Sequence, residues 1–244
     1  MKPIKVLYLP ILALFTIIVY HSLVALMRLA LFCFAKWTVI GTENIPENNG
    51  CVLVSNHIHI VDPPLVAASS RTRRLRTMAK QELFDLPLIG WVFKAYGAYA
   101  VKRSGTGFKA MRDSLRLLDR GEAILLFAEG TRSRGGPLRP AQRGAALIAL
   151  RSKLPVIPVS IQGSNVRFPN IFFAWILRRR PEITVEFGTP IDLGHIEANV
   201  NGAAEATDAI MREIALGLPP AQRGPYAGPR DPIAPPIVAK DRLN

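Results

Sequence analysis

Two short segments carry the side chains best suited to chemistry. One is Asn56-His57 with Asp62 five residues beyond the histidine; the other is Phe127-Ala128-Glu129-Gly130-Thr131-Arg132-Ser133. Histidine is the side chain whose ordinary pKa lies near working pH, so His57 is the natural proton acceptor, with a hydroxyl as its client. Asp62 has the chemistry of an orienting carboxylate: it accepts a hydrogen bond from one ring N–H and leaves the other nitrogen facing substrate. In the second segment Gly130 permits a tight turn. Arg132 offers a planar fork suited to phosphate, with Thr131 and Ser133 as neutral donors. Together the segments suggest a transferase acting on a phosphorylated alcohol.

Spacing says which elements must hold these groups. Residues five apart do not share a helix face, so His57 and Asp62 cannot lie on one continuous helix. Cys51 to Ser55 reads as a short apolar strand, and Asp62-Pro63-Pro64 as the start of a helix, which puts His57 in a strand-to-helix turn. Ala123 to Phe127 is an uncharged apolar run of the kind that forms a buried strand, so Glu129 to Ser133 sits at a strand end. Blander readings exist for each segment. Asp62 would then be only a helix cap, and Glu129 would pair with Arg132 in a surface turn.

With these segments in place, the chain resembles the glycerophospholipid acyltransferase family, most closely its bacterial 1-acyl-sn-glycerol-3-phosphate acyltransferases. The resemblance runs from about Val39 to Ile191. Asn56-His57 with Asp62 is followed by Lys80-Gln81-Glu82-Leu83-Phe84 with Pro87 and Gly90, then by Gly97 to Arg103. Glu129-Gly130-Thr131-Arg132-Ser133 and Pro155 to Val159 complete the series. The resemblance implies that His57 is the general base, oriented by Asp62. It also implies that Arg103, Glu129, Gly130, Thr131 and Arg132 bind the glycerol-phosphate end. Lys80 and Lys102 are further substrate-binding candidates, and Lys80 and the backbone around Ile157 are candidate donors to the reaction's oxyanion. The chain departs from the family pattern at Ala128, where proline is usual, at His59, where serine is common, and at Ala100, where a larger apolar residue is frequent.

The reaction that the resemblance implies is acyl transfer from a thioester donor, acyl-CoA or acyl-acyl carrier protein, to the sn-2 hydroxyl of lysophosphatidic acid, giving phosphatidic acid. Rival readings are an acyltransferase for another lyso-lipid (lyso-ornithine lipid or a lysophospholipid), a hydrolase, and a non-catalytic membrane-surface module. No bound cofactor is implied. Cys33 and Cys51 are the only cysteines, and they have no metal-ligand spacing, so neither a disulfide nor a metal site is expected.

Length and composition bound the scaffold. A chain of 244 residues, 49% of them hydrophobic, with alternating β and α signals, reads as α/β: a single mixed-sheet domain at 37–218 with an N-terminal membrane helix or helical pair. Strands are expected near Leu75 to Ala79, Tyr96 to Val101, Val156 to Ile161 and Ile183 to Phe187. Helices are expected near 106–120, with Phe108, Met111, Leu115 and Leu118 on its inner face and Gly121 stopping it, near 140–152, and near 201–216. The Pro-rich segment 219–244 reads as a mobile tail, or as a stiff chain lying against the domain.

Val6 to Met27 contains no Lys, Arg, Asp or Glu and is long enough to cross a bilayer, so 1–36 reads as a membrane anchor. Lys2 and Lys5 before it and Arg28 and Lys36 after it set no direction, which fits a helical pair dipping into one leaflet. Its removal should leave a folded domain. The formal charge of 31 − 18 = +13 would also suit nucleic acid, but no nucleic-acid module is recognisable. The arginines cluster instead at Arg71, Arg73, Arg74 and Arg76, and at Arg178 to Arg180 after an apolar run ending at Leu177. That pattern points to anionic membrane lipid, and the resemblance places the protein at the bacterial cell membrane with its active site on the cytoplasmic face.

Overall fold

The computed structural model describes residues 4–71, 73–101, 107–165 and 180–228, and for 4–13, 88 and 89 the backbone alone. Its centre is a seven-stranded sheet: β1 (Lys36–Ile40), β2 (Cys51–Ser55), β3 (Leu75–Lys80), β4 (Tyr99–Val101), β5 (Ala123–Phe127), β6 (Val156–Gln162) and β7 (Glu182–Phe187). The strand order is β1-β7-β6-β2-β5-β3-β4. β6, β2, β5, β3 and β4 are mutually parallel, while β7 runs antiparallel to β6 and carries β1 parallel to itself. The sheet is therefore mixed, and five strands end on one edge.

Side-chain alternation divides the core into two layers. Val52, Val54, Ile124 and Leu126 face helices α5 (Phe108–Asp119), α6 (Arg143–Ser152) and α7 (Val200–Leu216). Cys51, Leu53, Ala123 and Leu125 face the other way, against α1 (Ile4–Phe34) and α2 (Asp62–Ser69). Both faces of β2 are fully buried, as a central parallel strand requires. Two short helices that the sequence pattern does not announce, α3 (Gln81–Phe84) and α4 (Pro87–Ala95), join β3 to β4.

Several expectations are corrected. α1 is one helix rather than a pair, continuous through Pro10 and Arg28. One side of it packs on the domain: Leu31, with Ala35 just beyond the helix, belongs to the domain core, and Tyr20 and Val24 are buried. Arg28 donates from Nε to Ala68 O at 2.8 Å, which closes the carboxyl end of α2. β1 escapes sequence reasoning because its pairing is long-range, Lys36 to Glu182 through Ile40 to Glu186, and its alternation leaves every second residue exposed. α5 keeps most of the expected face: Met111, Leu115 and Leu118 pack on the core, joined by Leu117 and by Ser114, which is hydrogen-bonded to Tyr99 Oη at 2.9 Å, while Phe108 is 58% exposed.

Three of the arginines after α2 are held within the protein, while Arg71 is exposed. Arg73 donates to the carbonyls of Pro46, Asn49 and Gly121, stapling three loops. The Arg74 guanidinium lies 4.9 Å over the Tyr20 ring, a contact worth about 0.5–2 kcal/mol that fastens α1. Arg76 pairs with Glu122 at 3.1 Å. Residues 220–222 and 224–226 form short turns against the domain, with Leu138 N donating to Gln222 O at 2.9 Å and Ala141 N to Tyr226 Oη at 3.1 Å. The expected mobile tail thus gives way, up to residue 228, to a chain lying on the domain. The apolar run ending at Leu177, Arg178 and Arg179 lie outside the described residues.

Candidate active site

β2 ends at Ser55, and Asn56 carries the chain onward by a two-way bond to one residue of β6. Its Nδ2 donates to Ile161 O at 3.0 Å and its Oδ1 accepts from Ile161 N at 2.8 Å. The amide thus stands in for ladder bonds that would otherwise be lost where the strand stops. Sequence reasoning assigned Asn56 no role; only the position of β6 reveals one.

His57 comes next, in the turn, and Asp62, fully buried at the start of α2, points back at it. One carboxylate oxygen, Oδ2, accepts from His57 Nδ1 at 2.9 Å, from Ile58 N at 2.6 Å and from His59 N at 2.8 Å. An oxygen already accepting two backbone N–H groups faces the ring as an acceptor. Nδ1 therefore carries the ring proton and Nε2 is the basic nitrogen. Asp62 is not merely a helix cap, since its bonds go to the residues before it. The Phe127 ring stacks on the imidazole, centroids 4.2 Å apart at 28°, and further restricts its rotation.

The second segment leaves β5 beside this loop. Ala128 N donates to Ser55 O at 3.1 Å, and Ser133 N to His57 O at 2.7 Å. Glu129 is 3% exposed. Its Oε1 accepts from His57 N at 3.0 Å and its Oε2 from Arg139 N at 3.1 Å. The carboxylate thus faces backbone, and Glu129 makes no ion pair with Arg132. Burial pushes its carboxyl above the ordinary carboxylate range, opposed by those two hydrogen bonds and by the His57 and Arg139 side chains. Gly130 adopts φ 66°, and a Cβ there would stand 3.2 Å from Gln142 Cγ, so glycine suits the turn on both counts.

Thr131 and Arg132 are exposed beyond this turn, and Lys80 is exposed at the end of β3. Because β2, β5 and β3 are parallel, all of these lie along one sheet edge, the place where open α/β sheets bind ligands. Lys102 and Arg103 come directly after the last residue of β4 in the chain and lie outside the described residues. Arg139 was not singled out from the sequence; the bond from its N–H to Glu129 brings it to this site. Among the described residues no three His, Cys, Asp or Glu side chains converge as metal ligands do.

The Acyltransferase family model matches residues 36–162. Among similar chains named 1-acyl-sn-glycerol-3-phosphate acyltransferase, that of Bacillus subtilis is 33% identical over 127 residues, 52% of this chain and 63% of that one. The Borreliella burgdorferi protein is 30% identical over 141 residues, 57% and 56% of the two chains. A chloroplastic protein of Brassica napus is 29% identical over 155 residues, 62% and 44%. The chain thus spans about half the length of the curated relatives it matches. The solved structure of the 1-acyl-sn-glycerophosphate (LPA) acyltransferase PlsC of Thermotoga maritima shares the fold at a TM-score of 0.61, with 23% identity, covering 78% of this chain and 76% of that one. The match over residues 36–162, which takes in the His57 loop and the turn after β5, shows that the chain belongs to the Acyltransferase family.

Proposed function

We propose that the protein transfers a fatty acyl group from a thioester to the sn-2 hydroxyl of 1-acyl-sn-glycerol-3-phosphate, giving phosphatidic acid. The observation that carries this reading is the pairing of His57 Nδ1 with buried Asp62, which leaves Nε2 as a base on the edge that also carries Arg132. His57 Nε2 removes the hydroxyl proton as that oxygen attacks the thioester carbonyl. The tetrahedral oxyanion then collapses, the C–S bond breaks, and the thiolate takes the proton held by His57. General-base help of this kind is worth about a hundred- to ten-thousand-fold in rate. Arg132 draws the phosphomonoester to the edge, and the donor is a co-substrate, acyl-CoA or acyl-acyl carrier protein, rather than a bound cofactor.

On this reading the protein works at the bacterial cell membrane with this edge on the cytoplasmic side. The support is α1: Leu14 to Phe34 has a mean hydropathy of 2.0 with 17% of it buried, and Leu14, Phe15, Ile18, Leu29 and Phe32 are exposed. Tyr20, Val24 and Leu31 are committed to the domain, so α1 enters lipid with the domain attached to its second half. The test of the reaction is purified full-length protein in detergent with a panel of lyso-lipids and both thioester types, products identified by mass. Phosphatidic acid as the main product is expected; transfer only to acceptors without a phosphomonoester overturns the reading.

A further inference from the structure

The arginine whose backbone is tied to the carboxylate that also holds His57 is not in the Glu129–Ser133 turn. Arg139 lies six residues beyond Ser133, on a stretch whose backbone donors are all engaged. Leu138 N donates to Gln222 O at 2.9 Å, Arg139 N to Glu129 Oε2 at 3.1 Å, Ala141 N to Tyr226 Oη at 3.1 Å and Gln142 N to Ala128 O at 2.8 Å. Pro140, between them, has no N–H to place. The Arg139 side chain is nevertheless exposed, and among the described residues it forms no ion pair. With the backbone bonded throughout, binding an anion here orders only the side chain, whose planar fork is already preorganised.

Glu129 supplies the geometric link. One buried carboxylate takes the backbone N–H of His57 on one oxygen and that of Arg139 on the other. The backbones of His57 and Arg139 are thereby set a single side chain apart, and the Arg139 charge is close enough to act on that carboxyl.

We propose that Arg139 binds the phosphate of the acceptor, and that Glu129 is a positioning residue holding Arg139 and His57 in mutual register. The proposal rests on the acceptor reading given under Proposed function. A guanidinium donates two parallel hydrogen bonds to a phosphomonoester, and a phosphate fixed by Arg139 sets the distance from which the glycerol hydroxyl reaches Nε2. Glu129 itself stays clear of the ligand, since both of its oxygens face protein.

The test is steady-state kinetics of the full-length protein in detergent micelles, varying lysophosphatidate and acyl-CoA separately. Arg139→Ala should raise KM for lysophosphatidate about tenfold, the size of one lost charge-assisted contact. Its kcat and its KM for acyl-CoA should stay near wild type. Arg139→Lys should recover part of the loss. With monoacylglycerol as acceptor, which lacks the phosphate, Arg139→Ala and wild type should be equal, a result that a merely structural role does not give. Glu129→Gln, which turns an N–H donor toward one of the two backbone N–H groups, should lower kcat and raise KM for lysophosphatidate together. An unchanged lysophosphatidate KM in Arg139→Ala, or a rise in the acyl-CoA KM instead, overturns the inference while leaving acyl transfer intact. A wild-type protein that does not acylate lysophosphatidate overturns the reading beneath it and the inference with it.

Discussion

From Ser55 to Asp62 the chain is tied at nearly every step: Ser55 O to Ala128 N, Asn56 to Ile161, His57 at N, O and Nδ1, and the N–H groups of Ile58 and His59 to Asp62. From Thr131 to Pro137 the chain turns through Arg134 at φ 58° and Gly135 at φ 88°, with Thr131, Arg132 and Arg134 exposed. Both regions sit at the same sheet edge. On the proposed mechanism, proton transfer succeeds only within hydrogen-bond reach, which a braced loop serves. On the same proposal, attraction between a guanidinium and a phosphate falls off slowly with distance, which a looser loop tolerates. Arg139 belongs by its backbone to the first region and by its side chain to the second.

The largest expected effect lies on the braced side. His57→Ala should lower kcat by about a hundred- to ten-thousand-fold while leaving the thermal melt nearly unmoved, because the loop is held by its backbone and by Asp62. Transfer within threefold of wild type would erase the division between the two regions. Asp62 sharpens it. Asp62→Ala strands the N–H groups of Ile58 and His59, and each unmade bond costs about 1–3 kcal/mol, so both rate and denaturation midpoint should fall. Asp62→Asn keeps an acceptor oxygen and should lose less stability, while still slowing transfer because it no longer holds the ring tautomer by charge. A denaturation midpoint in Asp62→Ala equal to wild type argues that these bonds do not brace the loop.

On the exposed side, Arg132→Ala should raise KM for a phosphomonoester acceptor, leave the donor KM alone, and change stability by no more than about 0.5 kcal/mol. Arg132→Lys should recover only part, since an ammonium lacks the planar fork. Equal rises in both Michaelis constants would make Arg132 structural. The smallest effect is a negative one. Cys51 begins β2, is fully buried, and burial pushes its thiol up to about 12, so a maleimide at pH 8 should not label it in the native protein. Labelling in Asp62→Ala but not in Arg132→Ala would place the rigidity where the hydrogen bonds place it.

α1 supplies a parallel contrast within one helix. Phe32→Ser on the outer face should weaken flotation with vesicles without changing the melt, whereas Arg28→Ala removes the bond to Ala68 O and should lower the melt. Deleting residues 1–36 should do both, because it takes core residues and the first residue of β1 with it. A truncated protein as stable as the full chain would restore the detachable anchor.

The parts of this protein legible in its sequence are those set by near neighbours. Apolar runs become β2, β5 and β6 because central parallel strands bury both faces. The His57 to Asp62 spacing forces a turn between strand and helix whatever lies around it. The role of Asn56, the strand β1, the inward turn of Ser114 and the partners of Glu129 were settled elsewhere in the chain. Asn56 acts through Ile161, β1 through β7, Ser114 through Tyr99, and Glu129 through His57 and Arg139. In each case a polar group meets its partner only after the sheet has assembled. A carboxylate next to an arginine in sequence reads as an ion pair, yet once it is buried the nearest unpaired N–H groups claim it, because leaving them unbonded costs more than an exposed ion pair returns.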